Sequence, residues 1–292
     1  MKSFLLLLVA ILTVNLSSDE GRITKLNGID LWWNSYGDQE NPTALLIMGL
    51  NSNSKVWSDQ YIESLVENNL HVVVFDNRDI GKSTWVTKEP GLITFIKYLP
   101  NFFIEYFVDF IFDFIFDEAG KFNMDNPAPA EYNLSDMAMD GVSLLDHLGI
   151  SEAHIVGASM GGMIAQMTAA KYPEKTRSLV SIMSSTGAPH LSQMSDGDEE
   201  NFSNIEDIDV AGAEAYGFFP EAMPRQLTAI FKAGDRSNII REISVPTLVQ
   251  HGENDTLLPE DHGEHTAKLI DGSQYKVYSD MGHNLPPEVL PF

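Results

Sequence analysis

Cysteine is absent from this sequence, which excludes disulfides, thiolate nucleophiles and zinc-thiolate sites. Basic residues are scarce: 18 Lys and Arg face 42 Asp and Glu, for a formal charge of −24. Such a surface repels phosphate backbones and anionic lipid headgroups, so no nucleic-acid partner is expected. Internal repeats are missing, and so is an apolar run comfortable as a membrane span. The run from Phe4 to Val14 is too short, and an aromatic-rich stretch further on is interrupted by acids that would each be costly at a bilayer centre.

That first run belongs to residues 1–18, which carry Lys2, the apolar segment and a polar exit through Ser17-Ser18-Asp19-Glu20. This is the shape of a secretory signal peptide, and export is the expectation. Small residues do not sit cleanly at both positions before any cut, so an uncleaved N-terminal anchor is the alternative. Sequons at Asn133, Asn201 and Asn254 matter only in a eukaryotic secretory pathway.

Aliphatic and aromatic residues make up 43% of the chain, enough for a globular core, and residues 19–292 are expected to form one domain. Apolar strand-like runs at 29–33, 44–48, 71–75, 153–156, 178–183, 246–251 and 275–278 alternate with helical patterns near 58–67, 136–148, 160–172 and 261–270. Continuous apolar strands separated by helices predict an α/β fold with a mostly parallel, doubly wound sheet covered on both faces. In such sheets ligands bind beyond the carboxyl ends of the strands.

Two stretches break the rhythm. The insertion at about 91–126 is crowded with phenylalanine from Phe102 to Phe116, and Glu105, Asp109, Asp113 and Asp117 recur every four residues along it. That spacing draws one acidic stripe along an apolar helix, read either as a helix packed on the core or as a lid. Membrane association is open only through this insertion or the N-terminal segment. A second stretch, at about 186–223, is polar and acidic and reads as a short loop-rich cap.

Gly157-Ala158-Ser159-Met160-Gly161 follows a strand-like run and opens a helix-like one, so Ser159 is a candidate nucleophile rather than an ordinary turn residue. A serine needs a base, and His283 follows the last strand-like run; the imidazole in turn needs an acid, and Asp255 follows the strand before it. Glu253 and Asp261 are rival acids. His262 and His265 are spaced to share a metal, yet no third ligand is evident and a helix-surface role is favoured, so no metal site is expected. Backbone donors for an oxyanion are expected at Met160, beside the serine, and at Leu50 in Met48-Gly49-Leu50-Asn51, although an ordinary β-to-α turn has the same glycine.

These segments, together with Phe75-Asp76-Asn77-Arg78-Asp79-Ile80-Gly81-Lys82-Ser83 and Gly282-His283, resemble the α/β-hydrolase superfamily from about Gly21 onward. The Met-Gly loop and the Asp-Asn-Arg-Asp-Ile-Gly-Lys-Ser turn are most similar to the serine esterase group that includes aclacinomycin methylesterase. The resemblance implies a Ser159, Asp255, His283 triad, oxyanion amides at Leu50 and Met160, structural roles for Arg78, Asp79 and Gly81, and no cofactor. It implies a small-molecule ester as substrate, apolar in its acyl or alcohol part, hydrolysed through an acyl-enzyme. Acyl transfer, carbon–carbon bond hydrolysis and perhydrolysis use the same serine, and a non-catalytic binding protein with this fold is the remaining alternative.

Overall fold

The computed structural model describes residues 21–84, 132–192, 222–286 and 289. The leader at 1–18, the aromatic-rich insertion, the cap apart from its two ends, and the Asn201 sequon lie outside the described residues. Strands are β1 (Arg22–Leu26), β2 (Ile29–Tyr36), β3 (Thr43–Ile47), β4 (His71–Phe75), β5 (Ala153–Ala158), β6 (Thr176–Ile182), β7 (Thr247–Gly252) and β8 (Gln274–Tyr278). Helices are α1 (Asp59–Glu67), α2 (Leu134–His147), α3 (Met160–Lys171), α4 (Met223–Ala233), α5 (Ser237–Ile240) and α6 (Asp261–Leu269).

The strands form one sheet in the order β1-β2-β4-β3-β5-β6-β7-β8. β2 runs antiparallel to both β1 and β4, and every other pairing is parallel. β3 and β4 are buried at every position, and alternate residues point to opposite faces. Leu45, Ile47, Val73 and Phe75 therefore join one core with Met137 of α2 and Ile164 of α3, while Ala44, Leu46, Val72 and Val74 join a second with Ile62 and Leu65 of α1. Two cores back to back are the doubly wound architecture the apolar runs predicted.

Local signals fix the helix starts. Asn133 caps α2 in a reciprocal box with Asp136, and the Ser58 side chain accepts from the Tyr61 amide to start α1. Three elements were not read from the sequence: β1, α4 and the single-turn α5. β1 pairs with β2 through Asn27 and Gly28, at φ 45° and 82°, a hairpin turn that an Asn-Gly pair favours. α4 begins with a proline in its first turn and ends at Gly234, the usual punctuation of a helix, directly after the expected cap.

Parallel strands have their carboxyl ends on one edge. Ser159 follows β5, Asp255 follows β7, and the loop after β8 carries His283, so one edge collects all three. Met48 to Asn51 leave β3 on the same edge.

Candidate active site

β5 ends at Ala158 and α3 begins at Met160, so Ser159 alone turns the chain from strand to helix, with φ 56° and ψ −122°. A left-handed φ in a non-glycine residue costs about 1–3 kcal/mol and persists only where neighbours impose it. Here the Ser159 N–H donates to the Ile182 carbonyl at 2.9 Å, and its own carbonyl accepts from Gly162 N at 2.9 Å and Ser184 Oγ at 2.8 Å. The flanking glycines are required by close approach. A Cβ on Gly157 would sit 2.1 Å from the Gly161 carbonyl oxygen, and one on Gly161 would sit 2.0 Å from that of Ile47. The turn is thereby pressed against the end of β3.

Ser159 Oγ lies 3.0 Å from His283 Nε2, and His283 Nδ1 lies 2.8 Å from Asp255 Oδ2. A carboxylate at Nδ1 places the imidazole proton there and leaves the Nε2 lone pair facing the serine hydroxyl. The Asp255 side chain is fully buried, and its other oxygen accepts from the Leu258 amide at 2.9 Å. The acid is thus held by two partners before it meets solvent.

His251 adds to this arrangement without having been singled out from the sequence. Its fully buried ring donates from Nε2 to the Leu258 carbonyl at 2.7 Å and stands 3.5 Å from Asp255 Oδ2. Burial pushes its pKa down, with the Leu258 hydrogen bond and the Asp255 charge acting in the opposite direction. Among the described residues no acceptor faces Nδ1, so nothing favours a proton there, which agrees with a neutral ring protonated at Nε2. We therefore read the His251–Asp255 approach as a dipole beside a charge rather than an ion pair. The available signal was the i, i+4 spacing of His251 and Asp255 across the end of β7.

The loop after β3 passes directly over the serine. A Cβ on Gly49 would lie 3.0 Å from Ser159 Cβ and 3.5 Å from Oγ, so the backbone of this loop runs close to the Ser159 side chain. Leu50 follows, half-buried, and packs on the larger core. Met160 is the first residue of α3, so no carbonyl within the helix accepts its amide proton. An N–H at a helix start also carries the positive end of the helix dipole, which favours a developing negative charge. Two side chains not foreseen, Asn77 and Gln226, hydrogen-bond the loop backbone at Met48 and Asn51.

The other candidates lie elsewhere. Glu253 is exposed, and Asp261 caps the Ser192 amide at 2.8 Å. His262 corrects the expectation of a helix-surface residue: it is buried, with Nδ1 2.7 Å from Ser185 Oγ and Nε2 2.8 Å from the Ser192 carbonyl. The buried side of α6 consists of His262, Gly263 and Thr266, so no apolar stripe announced it. His265 turns instead to Ser237 and meets His190 edge-on. Among the described residues no group of three or more His, Cys, Asp or Glu side chains is arranged to hold a metal ion.

Arg78 and Asp79 are structural, as the resemblance implied. Arg78 makes a two-pronged bond to Asp140 of α2, at 2.8 and 2.6 Å, and Asp79 receives Arg225 of α4 and the Tyr132 hydroxyl. Asp76 fastens the same loop, accepting from Ser54 and from the Lys82 amide, although burial raises its pKa above the ordinary range.

A family model described as alpha/beta hydrolase fold matches residues 42–222. Rhodomycin D methylesterase of Streptomyces peucetius is 24% identical, over 88% of this chain and 90% of its own. A human serine hydrolase is 28% identical over 55% of this chain and 58% of its own. Among solved structures, a hydrolase of Pseudomonas aeruginosa superposes with a TM-score of 0.65 at 20% identity, covering 91% of this chain and 92% of that one. An esterase of Rhodococcus superposes at 0.62 with 18% identity, covering 90% and 92%.

Proposed function

The chain belongs to the α/β-hydrolase fold family, and from that premise we propose that it is a serine hydrolase of carboxylic esters that works through an acyl-enzyme at Ser159. The observation that carries this reading is the unbroken hydrogen-bond chain from Ser159 Oγ through His283 to Asp255, at 3.0 and 2.8 Å, with the serine on a strained turn. Esterase chemistry is further supported by the methylesterases among the relatives, which align along most of the chain.

In the proposed cycle His283 Nε2 takes the Ser159 proton as Oγ attacks the ester carbonyl. Asp255 stabilises the imidazolium without taking the proton itself. The amides of Leu50 and Met160 donate to the oxyanion of the tetrahedral intermediate. Collapse breaks the bond to the alkoxy oxygen, which leaves as the alcohol with the proton from His283. Water then gives a proton to the same imidazole and attacks the acyl carbonyl; the acid departs and Ser159 recovers its proton. The substrate class is a carboxylic ester with an apolar acyl or alcohol part.

Incubating the full chain and Ser159→Ala with short- and medium-chain p-nitrophenyl esters tests the proposal. Turnover should fall at least about a thousandfold in the variant, and a fluorophosphonate should label Ser159 in the parent only. Parent-level turnover by Ser159→Ala would overturn the assignment.

A further inference from the structure

Only two residues, Gly49 and Leu50, separate two backbone groups that are each gripped by a buried side-chain amide. Asn77 Nδ2 donates to the Met48 carbonyl at 2.8 Å, and Gln226 Oε1 accepts from the Asn51 N–H at 2.8 Å. Gln226 is fully buried, and its Nε2 donates to the Arg78 carbonyl at 3.2 Å. Oxygen facing an N–H and nitrogen facing a carbonyl leave one sensible orientation for this amide. Beside it on α4, Arg225 bonds Asp79 at 2.8 and 3.0 Å, locking the first turn of the helix onto the loop after β4. The oxyanion loop is therefore clamped from one side by the β4 loop and from the other by α4, and the clamps themselves are bonded together.

We propose that Gln226 is a positioning residue for the oxyanion hole: it aims the Leu50 amide by holding the N–H of the next residue, with Asn77 as its counterpart. The proposal rests on the reading of Leu50 as an oxyanion donor. Asn51 is buried and has φ 55°, a left-handed turn conformation that its surroundings must maintain. Once the Gln226 acceptor is gone, the Asn51 N–H is left buried without that partner, and the peptide units on either side rotate to find another. Oxyanion donors act only within a narrow distance of the developing charge, so a small rotation of the Leu50–Asn51 segment is felt in the transition state and hardly at all in substrate binding. Gln226 also lies beyond residues 42–222, the part of the chain that matches the family model.

The experiment compares the full chain with Gln226→Met, close in size but without the acceptor, and Gln226→Glu, which keeps an acceptor oxygen. For Gln226→Met, kcat on a p-nitrophenyl ester should fall about tenfold or more, while KM moves less than about threefold. The Ki of a trifluoromethyl ketone, which binds as an oxyanion, should rise in parallel with the loss of kcat/KM. Gln226→Glu should recover most of the lost kcat in its protonated form, which burial favours: its carbonyl oxygen accepts from the Asn51 N–H and its hydroxyl donates to the Arg78 carbonyl. A folded Gln226→Met with parent kcat and parent Ki overturns the proposal. Should that variant fail to fold, Gln226→Asn, which draws the amide back by one carbon, decides on the same criteria. The Ser159→Ala control separates the two readings. If it is inactive while Gln226→Met matches the parent, the positioning role alone fails; if it retains turnover, both fail.

Discussion

His251 and Asp255 sit on either side of a closed turn: His251 Nε2 donates to the Leu258 carbonyl at 2.7 Å, and Asp255 Oδ1 accepts from the Leu258 amide at 2.9 Å. Both ends of one peptide residue are thus used to hold the Asp255 carboxylate behind His283. His251→Leu keeps the approximate volume and removes the donor, leaving the Leu258 carbonyl unpaired inside the protein. Stability should drop by about 1–3 kcal/mol, and kcat should fall with little change in KM because the acid loses its anchor. Urea unfolding and ester kinetics on the purified variant check this. Unchanged stability together with unchanged kcat would show that the turn does not depend on His251.

The Arg78–Asp140 pair is buried on both sides, with side-chain exposures of 8% and 2%. Asp140 also accepts from Asn27 Nδ2 at 2.8 Å, so one carboxylate joins α2, the β4 loop and the β1–β2 turn. Breaking a buried pair strands a charge and costs about 3–5 kcal/mol, whereas replacing both partners by apolar residues is much cheaper. Arg78→Met and Asp140→Leu should each destabilise strongly, and the double variant should lose much less than the sum of the two single losses. Urea titration of the three variants closes the cycle; simple additivity would refute the pairing.

What the sequence made legible follows from burial. Ser159, Asp255 and His283 each come after an apolar run, and strands with that pattern end on a common edge, so the sequence alone suffices to group the three. β1 escaped because its residues are mostly exposed and carry little apolar pattern; only Asn27-Gly28 marked it. His262 was misplaced because its helix buries polar and small residues. Gln226 and Asn77 were illegible for another reason: their partners are backbone groups far away in sequence, and a backbone contact leaves no periodicity. Gln226 reaches Asn51 across 175 positions.

Gly161→Ala tests the fit between the Ser159 turn and β3. The added methyl would meet the Ile47 carbonyl oxygen at 2.0 Å and the Met48 carbonyl oxygen at 2.7 Å, and both are backbone atoms that cannot swing aside. The end of β3 has to move, taking residues 48–51 with it. A loss of about 1–3 kcal/mol in stability is expected from overpacking, with a fall in kcat larger than the fraction of unfolded protein explains. Calorimetry and active-site titration with a fluorophosphonate separate the two effects. A variant as stable and as active as the parent would contradict the packing described.

Acid sensitivity should come from buried histidines. Desolvation is the largest influence on His71, His154 and His251 and lowers each below the ordinary value of 6.5. The unfolded chain therefore binds protons at these positions before the folded one does. Stability is complete above about pH 6.5 and is lost as pH falls below it, until the folded-state values are reached. Asp76 and Asp140 act with the opposite sign, since burial raises them and the folded state takes up their protons first. Their window begins at the ordinary carboxylate value of 3.8 and extends upward. Unfolding free energy measured in urea should accordingly be lower at pH 5.5 than at pH 7.5, the two readings bracketing the histidine value. His154→Gln should flatten the slope, because His154 is only half-buried and its Nδ1 contact to Ser178 Oγ, at 2.7 Å, can be taken over by an amide. A stability at pH 5.5 equal to or greater than that at pH 7.5 would mean that the buried imidazoles are not held neutral.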